Sequence, residues 1–147
     1  MKLIIHADGG ARGNPGPAAF GVVVENEAGK IIARLGESLG IKTNNQAEYC
    51  GVIGAMEFIK KNSFTKKGIS ALEFYLDSDL IVNQLSGKYK IKSTELAVLA
   101  IRVKGLEKEI SAPVIYRHIP REQNKFADKI VNQVLDSHNP VYEIEVD

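Results

Sequence analysis

The sequence predicts an α/β domain built on a mixed sheet, with its elements in the order βββαβααβα. Three observations carry this. Three strand-like runs open the chain, the period turns helical at Thr43, and strands and helices then alternate to about Leu135. Leu3 to Ala7 form a short apolar run that stops at Asp8. Gly9-Gly10 and Gly13-Asn14-Pro15-Gly16-Pro17 follow, the composition of a strand entering a tight loop. A second run, Phe20 to Glu25, reaches a turn near Asn26-Glu27-Ala28-Gly29. A third extends from Lys30 to about Ser38, so the first three strands read as an antiparallel meander. Thr43-Asn44-Asn45-Gln46 then matches a capping box, a hydroxyl at the N-cap with glutamine three residues later. Behind it Ala47, Gly51, Gly54, Ala55 and Phe58 recur at helical spacing to about Lys61.

A fourth strand, about Ala71 to Leu76, ends at Asp77, and a short helix, about Asp79 to Leu85, follows. Leu96, Leu99, Val103, Leu106 and Ile110 mark an amphipathic helix with Arg102, Lys104, Glu107 and Lys108 on its wet side. Val114 to His118 reads as a fifth strand, and Asn124 is placed to cap a last helix carrying Phe126, Ile130, Val134 and Leu135. The expected unit is residues 1–137. The tail, 138–147, alternates from Val141 to Val146 as a short docking strand would.

Composition narrows the class without naming a function. The 147 residues are 44% hydrophobic and 25% charged, ordinary for a globular domain. No apolar run approaches the roughly 20 residues needed to span a bilayer, so no membrane partner is expected. The start, Met1 to His6, turns polar too early for a signal peptide. Cys50 is the single cysteine, which fits a reducing, cytoplasmic setting. A net charge of +1 does not by itself call for a nucleic-acid partner.

Four acids stand out by position. Asp8 and Asp77 lie where strands give way to loops, the edge at which open α/β sheets bind ligands. Glu48 shares a helical stripe with Ala55 and Ile59, and Asp128 shares one with Val131 and Leu135, so both face inward. Any one of them is most simply the partner of a lysine or arginine. Taken together they lack a basic residue at a matching inward position, and buried carboxylates must be compensated. A hard divalent cation held by carboxylates, water and phosphate oxygens supplies that compensation. Two such ions, roughly 3.5–4 Å apart, would suit phosphodiester hydrolysis. Cysteine or histidine ligation is not indicated, because Cys50, His6, His118 and His138 show no ligand spacing. The glycine loop after Asp8 has neither dinucleotide nor P-loop spacing and reads as a hairpin turn. Its glycines would also let a sugar–phosphate backbone approach the main chain.

These residues resemble a family. Asp8-Gly9-Gly10-Ala11-Arg12-Gly13-Asn14-Pro15-Gly16-Pro17 is similar to the opening signature of type-1 ribonuclease H, and Thr43-Asn44-Asn45-Gln46-Ala47-Glu48 to its second block. Leu76-Asp77-Ser78-Asp79 resembles the third, and the stretch from His118 to Asp128 the fourth, all in family order. The resemblance implies a ribonuclease H-like fold with a five-stranded mixed sheet, the first three strands antiparallel, flanked by helices. It implies an endoribonuclease that cuts the RNA strand of RNA/DNA hybrids with two Mg²⁺ ions (Mn²⁺ being the alternative), leaving 5′-phosphate and 3′-hydroxyl ends. Asp8, Glu48, Asp77 and Asp128 would carry the metals. Gly9, Gly10, Asn14, Asn44 and Asn45 would meet the hybrid, and Thr43 a DNA phosphate. His118 would assist proton transfer or product release, or else simply end strand five beside Pro120. A monomer is expected.

Three positions depart from the family pattern. Asp79 stands where many relatives have glutamine, and Ser93 where asparagine is common. The stretch from Gly87 to Thr94 is too short for the basic helical handle of some members. Two other classes fit less well: a hybrid-binding module that does not cut, and a metal-dependent phosphodiesterase of the same fold acting on another substrate.

Overall fold

Alternation along the first strand sets the architecture. In β1 (Lys2–Ala11), Leu3, Ile5 and Ala7 are fully buried while their neighbours are less covered. The chain is described here by a computed structural model covering residues 1–62 and 68–145. Antiparallel to β1 runs β2 (Gly16–Glu25), and antiparallel to β2 runs β3 (Ile31–Lys42). On the other side of β1, β4 (Ala71–Leu76) and β5 (Val114–His118) pair in parallel. β3 runs on past the expected end at Ser38. Ala18 pairs with Gly40 and Ala19 with Ser38, so Leu39 is bulged out, and Gly40 has a φ of 72°. The bulge breaks the alternation from which the strand end was read.

The sheet has six strands rather than the five expected, in the order β5-β4-β1-β2-β3-β6. The extra edge is β6 (Val141–Ile144), antiparallel to β3 with Gly36 opposite Val141 and Ala33 opposite Ile144. Residues 146 and 147, the end of the alternating tail, lie outside the described residues.

Helices cover both faces. α1 (Asn44–Lys61), α2 (Asp79–Leu85) and α3 (Thr94–Ile110) bury Tyr49, Met56, Ile59, Ile81, Val103 and Leu106 in the large core with Leu3, Ile5, Val22 and Phe74. α4 (Lys125–Ser137) packs Ile130, Val131, Val134 and Leu135 on the opposite face with Ala19, Val23 and Val141. Because its odd and even side chains enter different cores, β2 is buried along nearly its whole length. Among the described residues no helix is long and apolar enough to cross a membrane.

α1 starts where its capping box predicts. The Thr43 hydroxyl accepts from Gln46 N at 3.1 Å, and the Gln46 carbonyl Oε1 accepts from Thr43 N at 2.9 Å. Thr43→Ala is expected to lower stability by about 1 kcal/mol, read as a shifted urea midpoint at constant slope.

Candidate metal centre and nucleic-acid interface

Three of the acids meet near the C-terminal ends of the two central parallel strands. Asp8 lies inside β1 opposite Gly21, because the strand runs on past the expected stop through the paired Gly9 and Gly10 to Ala11, and Asp77 directly follows β4, the parallel neighbour of β1. Glu48 is in the first turns of α1, which packs across β1. Carboxylate oxygens of Asp8, Glu48 and Asp77 lie within 4.8 Å of one another. Asp8 and Glu48 are buried at 7% and 6% exposure, and Asp77 is half-buried. Asp128, on α4, lines the same cleft of about 410 Å³ but stands half-exposed at its rim, outside that group of three. The inward stripe of α4 is therefore only partly buried at its first turn.

Among the described residues no lysine or arginine forms an ion pair with Asp8, Glu48, Asp77 or Asp128. Arg12 and Arg121 also line the cleft, and Arg12 is held by Asp136 at 2.7 Å. Glu48 Oε1 accepts a long bond from Gly9 N at 3.3 Å, while its buried Oε2 has no partner. The electrostatic consequence is large. Burial pushes the Asp8 carboxyl up to about 7; the adjacent Glu48 carboxyl acts in the opposite direction, while Asp77 and Asp128 nearby add to the rise. Glu48 is likewise pushed well above the usual carboxylate range, by burial first and by Asp8 second. A concave group of acids with an orphaned buried oxygen fits a divalent metal.

The loop joining β1 to β2 is tied to the start of α1. Asn44 N donates to Asn14 Oδ1 at 2.9 Å, and Ala11 N donates to Asn44 Oδ1 at 2.8 Å. Both amides thus use their oxygens internally. Among the described residues neither NH₂ group has a protein partner, so each can donate outward. Asn44 and Asn45 line the cleft, whereas Asn14 is exposed and does not line it. Gly10 is open there, since an added Cβ would meet only Val131 and Asn44 at 3.8 and 4.0 Å. Gly9 differs: its Cβ would lie 2.2 Å from the Ala47 backbone, so the requirement for glycine comes from α1.

His118 is exposed, ends β5 opposite Leu76, and does not line the cleft. Ser93 caps α3, its hydroxyl accepting from Leu96 N at 3.2 Å, and Asp79 opens α2. Asn124 corrects the expected cap. It occupies the N-cap position of α4, but its side chain makes no capping bond. Its NH₂ group donates instead to Ala7 O at 2.9 Å and to Asp77 Oδ2 at 3.2 Å. Arg12, Arg121, Asn124 and Asn132 all stand at this site without having been singled out as site residues. For Asn124 the available signal was its place in the fourth block, four residues before Asp128.

Similarity to known proteins converges on one group. The profile of the family described as reverse transcriptase-like matches residues 6–134. The bifunctional protein Rv2228c of Mycobacterium tuberculosis is 36% identical over 138 residues, which cover 93% of this chain and 36% of that protein. A ribonuclease HI of Halobacterium salinarum is 37% identical over 134 residues, covering 90% of this chain and 64% of its own length. The chain therefore spans about a third of the first relative and less than two thirds of the second. Among solved structures, LC11-RNase H1 in complex with an RNA/DNA hybrid superposes with a TM-score of 0.88 at 38% identity, covering 92% of this chain and 98% of that one. The N-terminal RNase H domain of the Mycobacterium tuberculosis protein gives 0.83 at 35% identity, covering 92% and 94%.

Proposed function

Because the chain belongs to the reverse transcriptase-like, type-1 ribonuclease H family, we propose that it is a metal-dependent endoribonuclease that hydrolyses the RNA strand of RNA/DNA hybrids. The observation that carries this reading is the cluster of Asp8, Glu48 and Asp77, three acids sharing one cleft and, among the described residues, none of them in an ion pair. These three would hold the ions, with Asp128 joining from the rim. Mg²⁺ is the cation best matched to an all-carboxylate site completed by water and phosphate oxygens. When bound, a pair of such ions supplies Lewis acidity toward the phosphodiester and lowers the pKa of water.

The remaining chemistry belongs to the chain. Burial of Asp8 and Glu48 keeps bulk water from screening the site. The tie between Asn14, Asn44 and the β1–β2 loop fixes the Asn44 NH₂ donor in the cleft and the Asn14 donor on the loop outside it, where they would meet 2′-hydroxyls or acceptors on base edges. Asn45 adds a third amide, Gly10 lets a backbone pass close, and Thr43 lies at the start of α1, where a DNA phosphate is favoured. His118 keeps only an accessory role, since it stands outside the cleft. The catalytic unit is residues 1–137, with the tail, 138–147, docked on it through β6. A cytoplasmic monomer is the matching setting, as the single cysteine leaves the fold without an internal disulfide.

The direct test is Mg²⁺-dependent cleavage of an end-labelled RNA/DNA hybrid by wild type and Asp77→Asn. Single-stranded RNA and duplex DNA serve as controls. Wild type alone should cut, and only the RNA of the hybrid, leaving 5′-phosphate and 3′-hydroxyl ends. Equal cutting of duplex DNA, or hybrid binding without cutting in either Mg²⁺ or Mn²⁺, would refute it.

A further inference from the structure

Asn124 is the most deeply buried polar side chain among the described residues, at 1% exposure, and it caps nothing. Its two donor bonds go to the carbonyl of Ala7, which precedes Asp8 in β1, and to the carboxylate of Asp77 after β4. Its own backbone carbonyl accepts from Asp128 N at 3.1 Å. One residue is therefore bonded to the segments that carry three of the four acids. The amide has only one workable orientation. Turned over, its oxygen would face two acceptors, Ala7 O and Asp77 Oδ2. In the orientation present, Oδ1 is buried without a protein partner. An acceptor left unmade costs stability, and a capping or packing role does not require one.

We propose that Asn124 is a positioning residue for the carboxylate centre, fixing the direction of the Asp77 carboxylate with a neutral donor. A lysine or arginine at this point would also orient Asp77 but would cancel the charge that a divalent ion needs. An aspartate would repel it. The asparagine NH₂ group orients the acid and leaves its charge intact, as groups behind metal ligands do elsewhere. This proposal rests on the hydrolase reading given above, for which Asp77 is a ligand.

The test measures ion binding separately from catalysis. Mn²⁺ affinity is determined by calorimetry for wild type and Asn124→Ala without nucleic acid. Melting temperature, hybrid affinity in EDTA, and kcat and KM are measured on the same samples. The expected result is about a tenfold loss of Mn²⁺ affinity and a comparable fall in kcat. KM and metal-free hybrid affinity should stay within about twofold, because the asparagine contacts an acid and not the substrate. Mn²⁺ affinity within twofold of wild type, whatever the melting temperature, would overturn the proposal. If Asn124→Ala does not fold, the side-chain amide resonances of Asn124 are followed in the wild-type protein. They should shift on adding Mg²⁺ and on Asp77→Asn, and resonances indifferent to both would equally overturn it. Failure of wild type to cut hybrids would remove the nuclease reading while leaving the ion-affinity result interpretable.

Discussion

Asp8→Asn is expected to reduce hybrid cleavage by about a thousandfold or more and, at neutral pH, to raise the melting temperature of the metal-free protein. The first half follows from the several kcal/mol of transition-state stabilisation that bound metals supply, at about 1.4 kcal/mol per tenfold in rate. The second half follows from electrostatics. Asp8 is buried among acids and titrates near 7, well above its unfolded value of 3.8. Between those two values the folded chain keeps a proton that the unfolded chain has released. Stability of the metal-free protein therefore falls as pH rises through that window, by up to roughly 1.4 kcal/mol per pH unit for one such group. Asparagine, which does not titrate, removes this slope. Melting curves in EDTA from acid to neutral pH should show wild type losing stability and Asp8→Asn losing much less. A variant that melts lower than wild type at neutral pH would mean that Asp8 is a structural ion-pair partner.

Gly9→Ala should be severely damaging for a change of a single methyl group. The new Cβ would lie 2.2 Å from both C and O of Ala47 and 2.5 Å from the backbone N of Glu48. These are main-chain atoms of a helix and cannot rotate away, so α1 must shift from β1. Overpacking of a rigid core costs typically 1–3 kcal/mol, and with backbone as the obstacle about 3 kcal/mol or more is expected. The shift also moves Glu48, and activity should fall further than the loss of folded protein accounts for. Chemical denaturation together with cleavage per folded molecule separates the two losses. Gly10→Ala is the matched control for stability, since the nearest atom there is a side-chain methyl at 3.8 Å. An equal loss of stability at both positions would contradict the packing argument.

The convergence of Asp8, Glu48 and Asp77 is legible in the sequence because strand ends and helical stripes are local patterns. The apolar run that stops at Asp8 marks where the acid stands but not where the strand ends, since β1 continues through Gly9 and Gly10 to Ala11; a shared stripe with Ala55 and Ile59 turns Glu48 inward. The sixth strand is less legible. Val141–Ile144 alternates, but four residues do not say which edge they join, and the pairing with β3 depends on a chain reversal after α4. The role of Asn124 is hidden for a different reason. Asparagine before a helix is the usual signal of a cap, and the competing partners, Ala7 and Asp77, are 117 and 47 residues away. Gly9 shows the same limit, since a glycine in a loop-like run does not reveal that a helix backbone fills its missing side chain.

α4 has its face of the sheet to itself among the helices, and it is the last of them to leave the ribosome. Its docking onto β2 and β3 brings Asp128 to the cleft and Asn124 behind Asp77. A nascent chain that has made β1, α1 and β4 already contains three of the acids, yet without α4 it lacks the amide against Asp77 and the acid at the rim. Synthesis itself thus acts as a safety catch: the blade is forged early and is set in its handle only once α4 has emerged and docked.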